Sequence, residues 1–180
     1  MKISESTLAG AFIIEQDLHE DARGAFMEVF NAPVLERHGL GAAFVQDNCS
    51  LSRRAGVIRG LHFQRDPHAQ AKLVWVVTGS IFDVIVDLRP GSRTRFKWES
   101  FILTDERPCM LYIPKGFAHG FCTLKDDTRV FYKVDSPYNP GSEAGIRWDD
   151  PDLGIPWPTV SPILSEKDAR LPLLRELAGS

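Results

Sequence analysis

The residues with the most chemical promise lie in Gly60-Leu61-His62-Phe63-Gln64 and in Pro114-Lys115-Gly116-Phe117-Ala118-His119. A metal-binding β-barrel would carry a His-x-His pair in the first stretch and a Glu some residues later. Here Gln64 stands where the second His would be, and the long side chain after the turn is Lys72. Gln is a poor ligand for transition metals, and an ammonium group has no lone pair to give. A cavity holding a His and a Lys in place of ligands suits proton transfer, so the expectation is a site without metal.

Such a site needs a scaffold, and the middle of the chain is written in period two. Arg95-Phe96-Lys97-Trp98-Glu99 alternates charged and aromatic residues, the pattern of a strand with one wet face. The β-branched runs 73–77 and 81–88 are joined by Thr78-Gly79-Ser80, a hairpin signal. Further strands are expected at 25–30, 44–51, 57–64, 110–113, 120–124 and 129–134, bounded by Pro, Gly or Asp. Many short strands with regular turns predict an all-β sandwich or closed barrel. Helix signals are few. Asn31-Ala32-Pro33 through His38-Gly39 has Pro near its start and Gly just past its end. Ser165 opens a C-terminal helix with Leu171, Leu174 and Leu177 as its apolar positions. The Pro-rich segment from Pro137 to Pro162 is expected to wrap the barrel as ordered loop. With no repeat, low-complexity tract or linker, residues 1–180 read as a single domain.

Composition narrows the function classes. A chain of 180 residues can bury one good core but not two full domains. At 43% hydrophobic and 25% charged it has the makeup of a globular protein, not a disordered one. A net charge of −3 argues against nucleic acid as the main partner while leaving room for a basic pocket around a small anion. No signal peptide or anchor is visible near Met1, and no window approaches the ~18 apolar residues of a membrane span. Cys49, Cys109 and Cys122 form an odd set at unrelated spacings, which reads as reduced thiols in a cytoplasmic protein.

Strand parity sorts the candidates. Tyr132 shares a face with Val130 and Val134, and Lys72 with Val74 and Val76, so both point inward if the apolar parity faces the cavity. His62 goes with Gln64, and His119 with Phe121 and Thr123. Parity alone leaves His62 open, because Leu61 and Phe63 claim the core equally well.

At these residues the chain resembles the dTDP-4-dehydrorhamnose 3,5-epimerase family. The matching segments are Asp21-Ala22-Arg23-Gly24-Ala25-Phe26-Met27-Glu28-Val29-Phe30, Gln46-Asp47-Asn48-Cys49-Ser50 and Gly56-Val57-Ile58-Arg59-Gly60-Leu61-His62-Phe63-Gln64. They continue through Gln70-Ala71-Lys72-Leu73-Val74, 83–89, 113–121, Tyr132-Lys133, Tyr138, Trp148-Asp149-Asp150-Pro151 and Ser165-Glu166-Lys167-Asp168. Their order and spacing cover nearly the whole chain. The resemblance implies a cupin-like jelly-roll β-barrel, a metal-free and cofactor-free enzyme, and a homodimer. It further implies that the 25–30 strand exchanges with the partner, carrying Arg23 and Glu28 to the neighbouring pocket.

The implied reaction fits the residue types. Epimerising a carbon beside a ketone needs a base on one face, a cation or donors at the developing oxyanion, and an acid on the other face. His62 matches the family's base, and Asp168 the carboxylate that orients it. Lys72 matches the cation by the ketone oxygen, and Tyr132 the proton donor, a phenol at neutral pH. Plainer readings stand beside these. Asp168 lies three residues after Ser165 and would complete a helix capping box. Tyr132 would serve as an ordinary barrel aromatic. An inward Lys72 among Val and Trp is harder to dismiss, because an unpaired buried ammonium is costly.

The substrate implied is a dTDP-linked 4-keto-6-deoxyhexose, whose diphosphate calls for Arg and Lys. Arg59 and His119 match positions near the pyrophosphate and sugar. Arg23, Phe26, Glu28, Gln46, Asn48, Glu143 and Lys167 match further substrate contacts, and Tyr138 the aromatic that stacks on thymine. The structural alternative for Arg23, Glu28, Glu143 and Lys167 is a solvated surface charge. No dinucleotide fingerprint is present, since Gly39-Leu40-Gly41 lacks the third Gly. Three other readings are weighed: an epimerase acting at C3 only or C5 only, a metal-dependent cupin using His62, His119 and His68, and a non-catalytic sugar-nucleotide-binding protein. A non-catalytic binding protein would be expected to lose His62 or Tyr132, and both are present.

Overall fold

The structure, a computed structural model, describes residues 1–41 and 43–177. Its first strands are Lys2–Glu5 (β1), Phe12–Glu15 (β2), Leu18–Asp21 (β3) and Gly24–Met27 (β4), followed by the helix Ala32–Arg37 (α1). The central strands are Gln46–Ser52 (β5), Ile58–Gln64 (β6), Lys72–Thr78 (β7), Ser80–Asp87 (β8) and Trp98–Thr104 (β9). Then come Cys109–Ile113 (β10), Phe117–Thr123 (β11), Thr128–Val134 (β12) and Glu143–Gly145 (β13). Two short helices, Glu166–Ala169 (α2) and Leu174–Leu177 (α3), end the described chain.

Two antiparallel sheets form a cupin-like jelly roll, in the orders β1-β2-β10-β7-β12-β5 and β13-β6-β11-β8-β9, with β3–β4 as a separate hairpin. Between the sheets lies a core of Val74, Val76, Leu111 and Val130 against Ile81, Ile85, Leu103 and Phe121. Each sheet's outer face is covered as well. Ile14, Leu73 and Met110 pack under Leu35 and Leu40 beside α1. Ile58, Leu61, Val84 and Val86 pack under Ile146, Leu153, Trp157 and Leu174. Burial on both faces is why several strands read as continuous apolar runs instead of alternating.

Local signals explain α1: Asn31 caps it, its side chain accepting from the Val34 N–H at 3.2 Å, and Pro occupies the first turn. Other expectations need correction. Thr78-Gly79-Ser80 is not a hairpin, because β7 and β8 lie in different sheets and Gly79 carries the chain across. Gly79 has φ +89°, and a Cβ there would stand 2.3 Å from Thr128 Oγ1. The alternating 95–99 run is not a strand: β9 starts only at Trp98, and Phe96 sits at φ +65° in a turn held by its N–H on the Asp87 carbonyl. The 25–30 strand stops at Met27, after which Val29 and Phe30 turn into the outer core. The C-terminal helix is interrupted at Pro172, leaving α2 and α3 as separate turns. The strands β1, β2, β3 and β13 carry no sequence signal strong enough to have been expected.

Candidate active site

The site depends on a register slip in β6. His119 pairs with His62, but the next pairing is Phe121 with Arg59, so Gly60 and Leu61 oppose the single residue Gly120. This extra residue resets the alternation. Arg59 and His62, which an unbroken strand would point to opposite faces, both line one cavity of about 260 Å³. Leu61 and Phe63 pack into the outer core, which decides the open question of His62's direction. Gly60 permits the slip, having φ +126° and so little room that a Cβ would lie 2.5 Å from Gly120 Cα.

His62, Lys72, Tyr132 and Asp168 meet in this cavity. His62 Nε2 lies 2.7 Å from Asp168 Oδ1. The carboxylate accepts one ring N–H and leaves the other nitrogen free to take a proton. Burial pushes the Asp168 carboxyl up, but His62, the Gly60 N–H and Lys167 outweigh it and hold it below the usual carboxylate range. Asp168 also donates its backbone N–H to Ser165 Oγ at 3.0 Å, so capping and orienting coexist in one residue. Lys72 Nζ donates to the His62 carbonyl at 3.4 Å. Burial drives this ammonium down to about 8, partly offset by Asp83 and Glu143. Tyr132 is pushed up by burial, partly offset by Arg59, and therefore remains a phenol at neutral pH.

A hydrogen-bonded rim leads outward. Asn48 accepts from Gln46 Nε2 at 2.8 Å, Gln46 accepts from the Tyr138 N–H at 3.0 Å, and Tyr138 Oη donates to Glu143 at 2.9 Å. Lys167, which lines the cavity, closes the chain on Glu143. Tyr138 is 51% exposed, leaving its ring face open to stacking. Arg59 is braced by Ser52 Oγ and the Leu51 carbonyl, each at 3.3 Å. Gln64 does not stand idle where a ligand would be. Its amide donates to the His68 and Pro137 carbonyls and accepts from the Asn139 N–H, pinning the loop that presents Tyr138.

Arg23, Phe26 and Glu28 are not brought to this cavity. Arg23 pairs with Asp21 at 2.6 Å on the β3–β4 hairpin, Phe26 is 70% exposed, and Glu28 accepts from Asn31. Residues absent from the expectation also appear. Ser50 lines the cavity. Its signal was available, since it shares parity with Asn48 and Ser52. Asp83 stands 2.8 Å behind His119, and a charged residue inside the apolar run of β8 was the sign of it. Among the described residues no group of three or more His, Cys, Asp or Glu is placed to hold a metal, and Cys49, Cys109 and Cys122 are free thiols. A larger cleft of about 410 Å³ on the far side of β6, between Phe63, Leu88, Phe96 and Leu174, holds Arg65 and Arg95 but no acid–base pair. No helix among the described residues is long and apolar enough to cross a membrane.

Known proteins show the same arrangement of chain. A protein of Methanothermobacter thermautotrophicus named dTDP-4-dehydrorhamnose 3,5-epimerase is 50% identical over 175 residues, 96% of this chain and 94% of its own. The crystal structure of dTDP-4-dehydrorhamnose 3,5-epimerase from Bacillus anthracis, with TDP and PPi bound, superimposes with a TM-score of 0.94 at 51% identity, covering 96% of this chain and 99% of that one. A 3'-monoepimerase of Streptomyces bikiniensis, in complex with dTDP-quinovose, shares the fold at TM-score 0.89 and 36% identity, covering 97% of this chain and 89% of that one. The family described as dTDP-4-dehydrorhamnose 3,5-epimerase matches residues 5–176, and with these identities the chain belongs to that family of isomerases.

Proposed function

We propose that the protein inverts C3 and C5 of dTDP-4-keto-6-deoxyglucose to give dTDP-4-keto-L-rhamnose, a step of dTDP-rhamnose biosynthesis. The observation that carries this reading is one cavity holding the 2.7 Å His62–Asp168 pair, the buried Lys72 and the phenol of Tyr132. His62 takes the proton from the carbon beside the ketone, and Asp168 stabilises the imidazolium that forms. The electron pair moves onto the ketone oxygen, where the Lys72 ammonium meets the new negative charge in a dry setting. Tyr132 returns a proton to the opposite face. Once His62 has released its proton to water and Tyr132 has regained one from it, the cycle repeats at the second carbon and completes the product. Arg59 and Lys167 suit the diphosphate, with Tyr138 against the base and Gln46, Asn48 and Glu143 behind it.

The same reading gives a single-domain cytoplasmic protein that works as a homodimer. Arg23, Phe26 and Glu28 lie away from their own cavity on an exposed hairpin, and β5 is an edge strand with one side unpaired, which supports their use in a partner's site. Turnover should survive chelator. The deciding experiment is incubation with dTDP-4-keto-6-deoxyglucose in heavy water, followed by NMR of the sugar. Deuterium at both inverted carbons is expected. Label at one carbon alone would reduce the activity to mono-epimerisation, and no label would sink the proposal.

A further inference from the structure

Among the described residues three buried side-chain polar atoms lack a hydrogen-bond partner: Gln16 Oε1, Ser50 Oγ and Asp83 Oδ1. Asp83 is the most costly of these, being wholly buried inside the apolar run of β8. It makes one hydrogen bond, from Oδ2 to His119 Nε2 at 2.8 Å. His119 is itself 7% exposed and lines the cavity, where its Nδ1 meets no protein partner among the described residues. The proton count follows from the chemistry of the pair. A carboxylate only accepts, so Nε2 carries a hydrogen. A second hydrogen on Nδ1 would make the ring a buried cation near the Lys72 ammonium and opposite His62. Burial pushes the ring toward its neutral form, and Lys72 and His62 add to this against the pull of Asp83.

We infer that Asp83 holds His119 as the neutral Nε2–H tautomer, so that Nδ1 faces the cavity as an acceptor for a hydroxyl of the sugar. Asp83 is then a positioning residue, and His119 selects a hydroxylated sugar instead of neutralising the diphosphate. An acceptor at this place also repels a ketone oxygen or enolate. It leaves the Lys72 side as the favourable seat for that oxygen and so fixes which way round the ring lies. The tautomer stands on the geometry alone, whereas the identity of its ligand rests on the epimerase reading above.

Nitrogen-15 NMR of histidine-labelled protein at neutral pH reads the ring directly and needs no substrate. A proton on Nε2 alone is expected; an imidazolium, or a proton on Nδ1 alone, overturns the inference. Asp83→Asn removes the charge that holds the proton on Nε2, and where its amide donates to Nε2 the ring proton moves to Nδ1. The cavity then meets a donor, and kcat/KM for dTDP-4-keto-6-deoxyglucose should fall about 10- to 100-fold, the cost of leaving a substrate hydroxyl unmatched. The affinity for dTDP, which has no sugar, should stay within about twofold. Should that variant not fold, His119→Phe keeps the ring without its nitrogens and should show the same split. Equal losses for dTDP and for turnover would place His119 at the diphosphate and overturn the inference. Wild-type protein with no turnover would sink the epimerase reading, while the NMR measurement would still decide the tautomer of His119.

Discussion

Two carboxylate–imidazole pairs face the same cavity, nearly identical in bond length and different in setting. His62 and His119 stand opposite each other across β6 and β11, at 2.7 Å and 2.8 Å from Asp168 and Asp83. The His62 side chain is 28% exposed, that of His119 only 7%. Asp168 rides on the one-turn helix α2, whereas Asp83 lies on β8, paired with Phe121 two residues from His119. In the proposed reaction the more open ring is the base, while burial pushes the dry ring beside Lys72 toward its neutral form. Environment, more than residue type, divides the labour between them.

Replacing the two rings should break that symmetry most visibly. His62→Ala is expected to lose about 10⁴-fold in turnover, the upper end for a positioned proton-transfer group, with no deuterium washed into either carbon. His119→Ala should turn over slowly and still exchange. If it abolished exchange as fully as His62→Ala, the division of labour between the two rings would be wrong.

Tyr132→Phe should lose about 10²–10⁴-fold in inversion but leave His62 and Lys72 able to form the enolate. The enolate would then be quenched on the face it came from, giving washed-in deuterium with little inverted product. Near-normal inversion by this variant would mean that another group is the acid. For Asp168→Asn the loss should be no larger than for His62→Ala, up to about 10⁴-fold, because orientation and charge stabilisation go and an amide donating to Nε2 would put the ring proton on the nitrogen that must act as base.

Much of this arrangement was legible in the chain. The short runs bounded by Gly and Pro announce the sheets, and β-branched parity turns Lys72 and Tyr132 inward as found. What escaped depends on long-range contacts. The direction of His62 follows from the slip at Gly60, which exists because Gly120 packs against it from another strand. The turn at Phe96 is held by the Asp87 backbone, and Asp87 in turn binds Arg89, Ser92 and Thr94, a network no local pattern reveals. Thr78-Gly79-Ser80 has the residues of a hairpin, but the crowding of Gly79 against Thr128 belongs to a crossover between sheets. Arg23, Phe26 and Glu28 came from the family resemblance alone, and a single chain does not bring them to the site.

Lys72 sharpens the comparison through pH. In the proposed reaction its ammonium receives the oxyanion, it adds to the burial that disfavours a charged His119, and burial has lowered it to about 8. The kcat/KM profile, which reports the free enzyme, should therefore fall about tenfold per unit above that value. Lys72→Arg should be slower at neutral pH but lose this alkaline limb, since a guanidinium stays charged. Stability should move the opposite way. Between about 8 and the ordinary 10.5 the unfolded chain holds a proton that the folded one has shed, so this residue's contribution to stability rises with pH. An alkaline limb unchanged in Lys72→Arg would assign it to another group.

The smallest effect tests how the two pairs are mounted. Ser165 caps α2 by accepting the Asp168 N–H at 3.0 Å, and so holds the backbone beneath the Asp168 carboxylate. Ser165→Ala removes that bond, and a lost cap costs about 1 kcal/mol, or roughly 2–4 °C in Tm for a chain of this size. Asp83 needs no such support, because the ladder between β8 and β11 already fixes it. The variant should therefore turn over a few-fold more slowly as Asp168 loosens, by less than the loss in Asp168→Asn, while the nitrogen-15 signals of His119 stay where they are. Calorimetry, turnover and NMR on one sample separate the outcomes. A fall in Tm with undiminished turnover would mean that the cap serves folding alone. A shift at His119 would mean that the two pairs are coupled through the cavity and do not stand on independent supports.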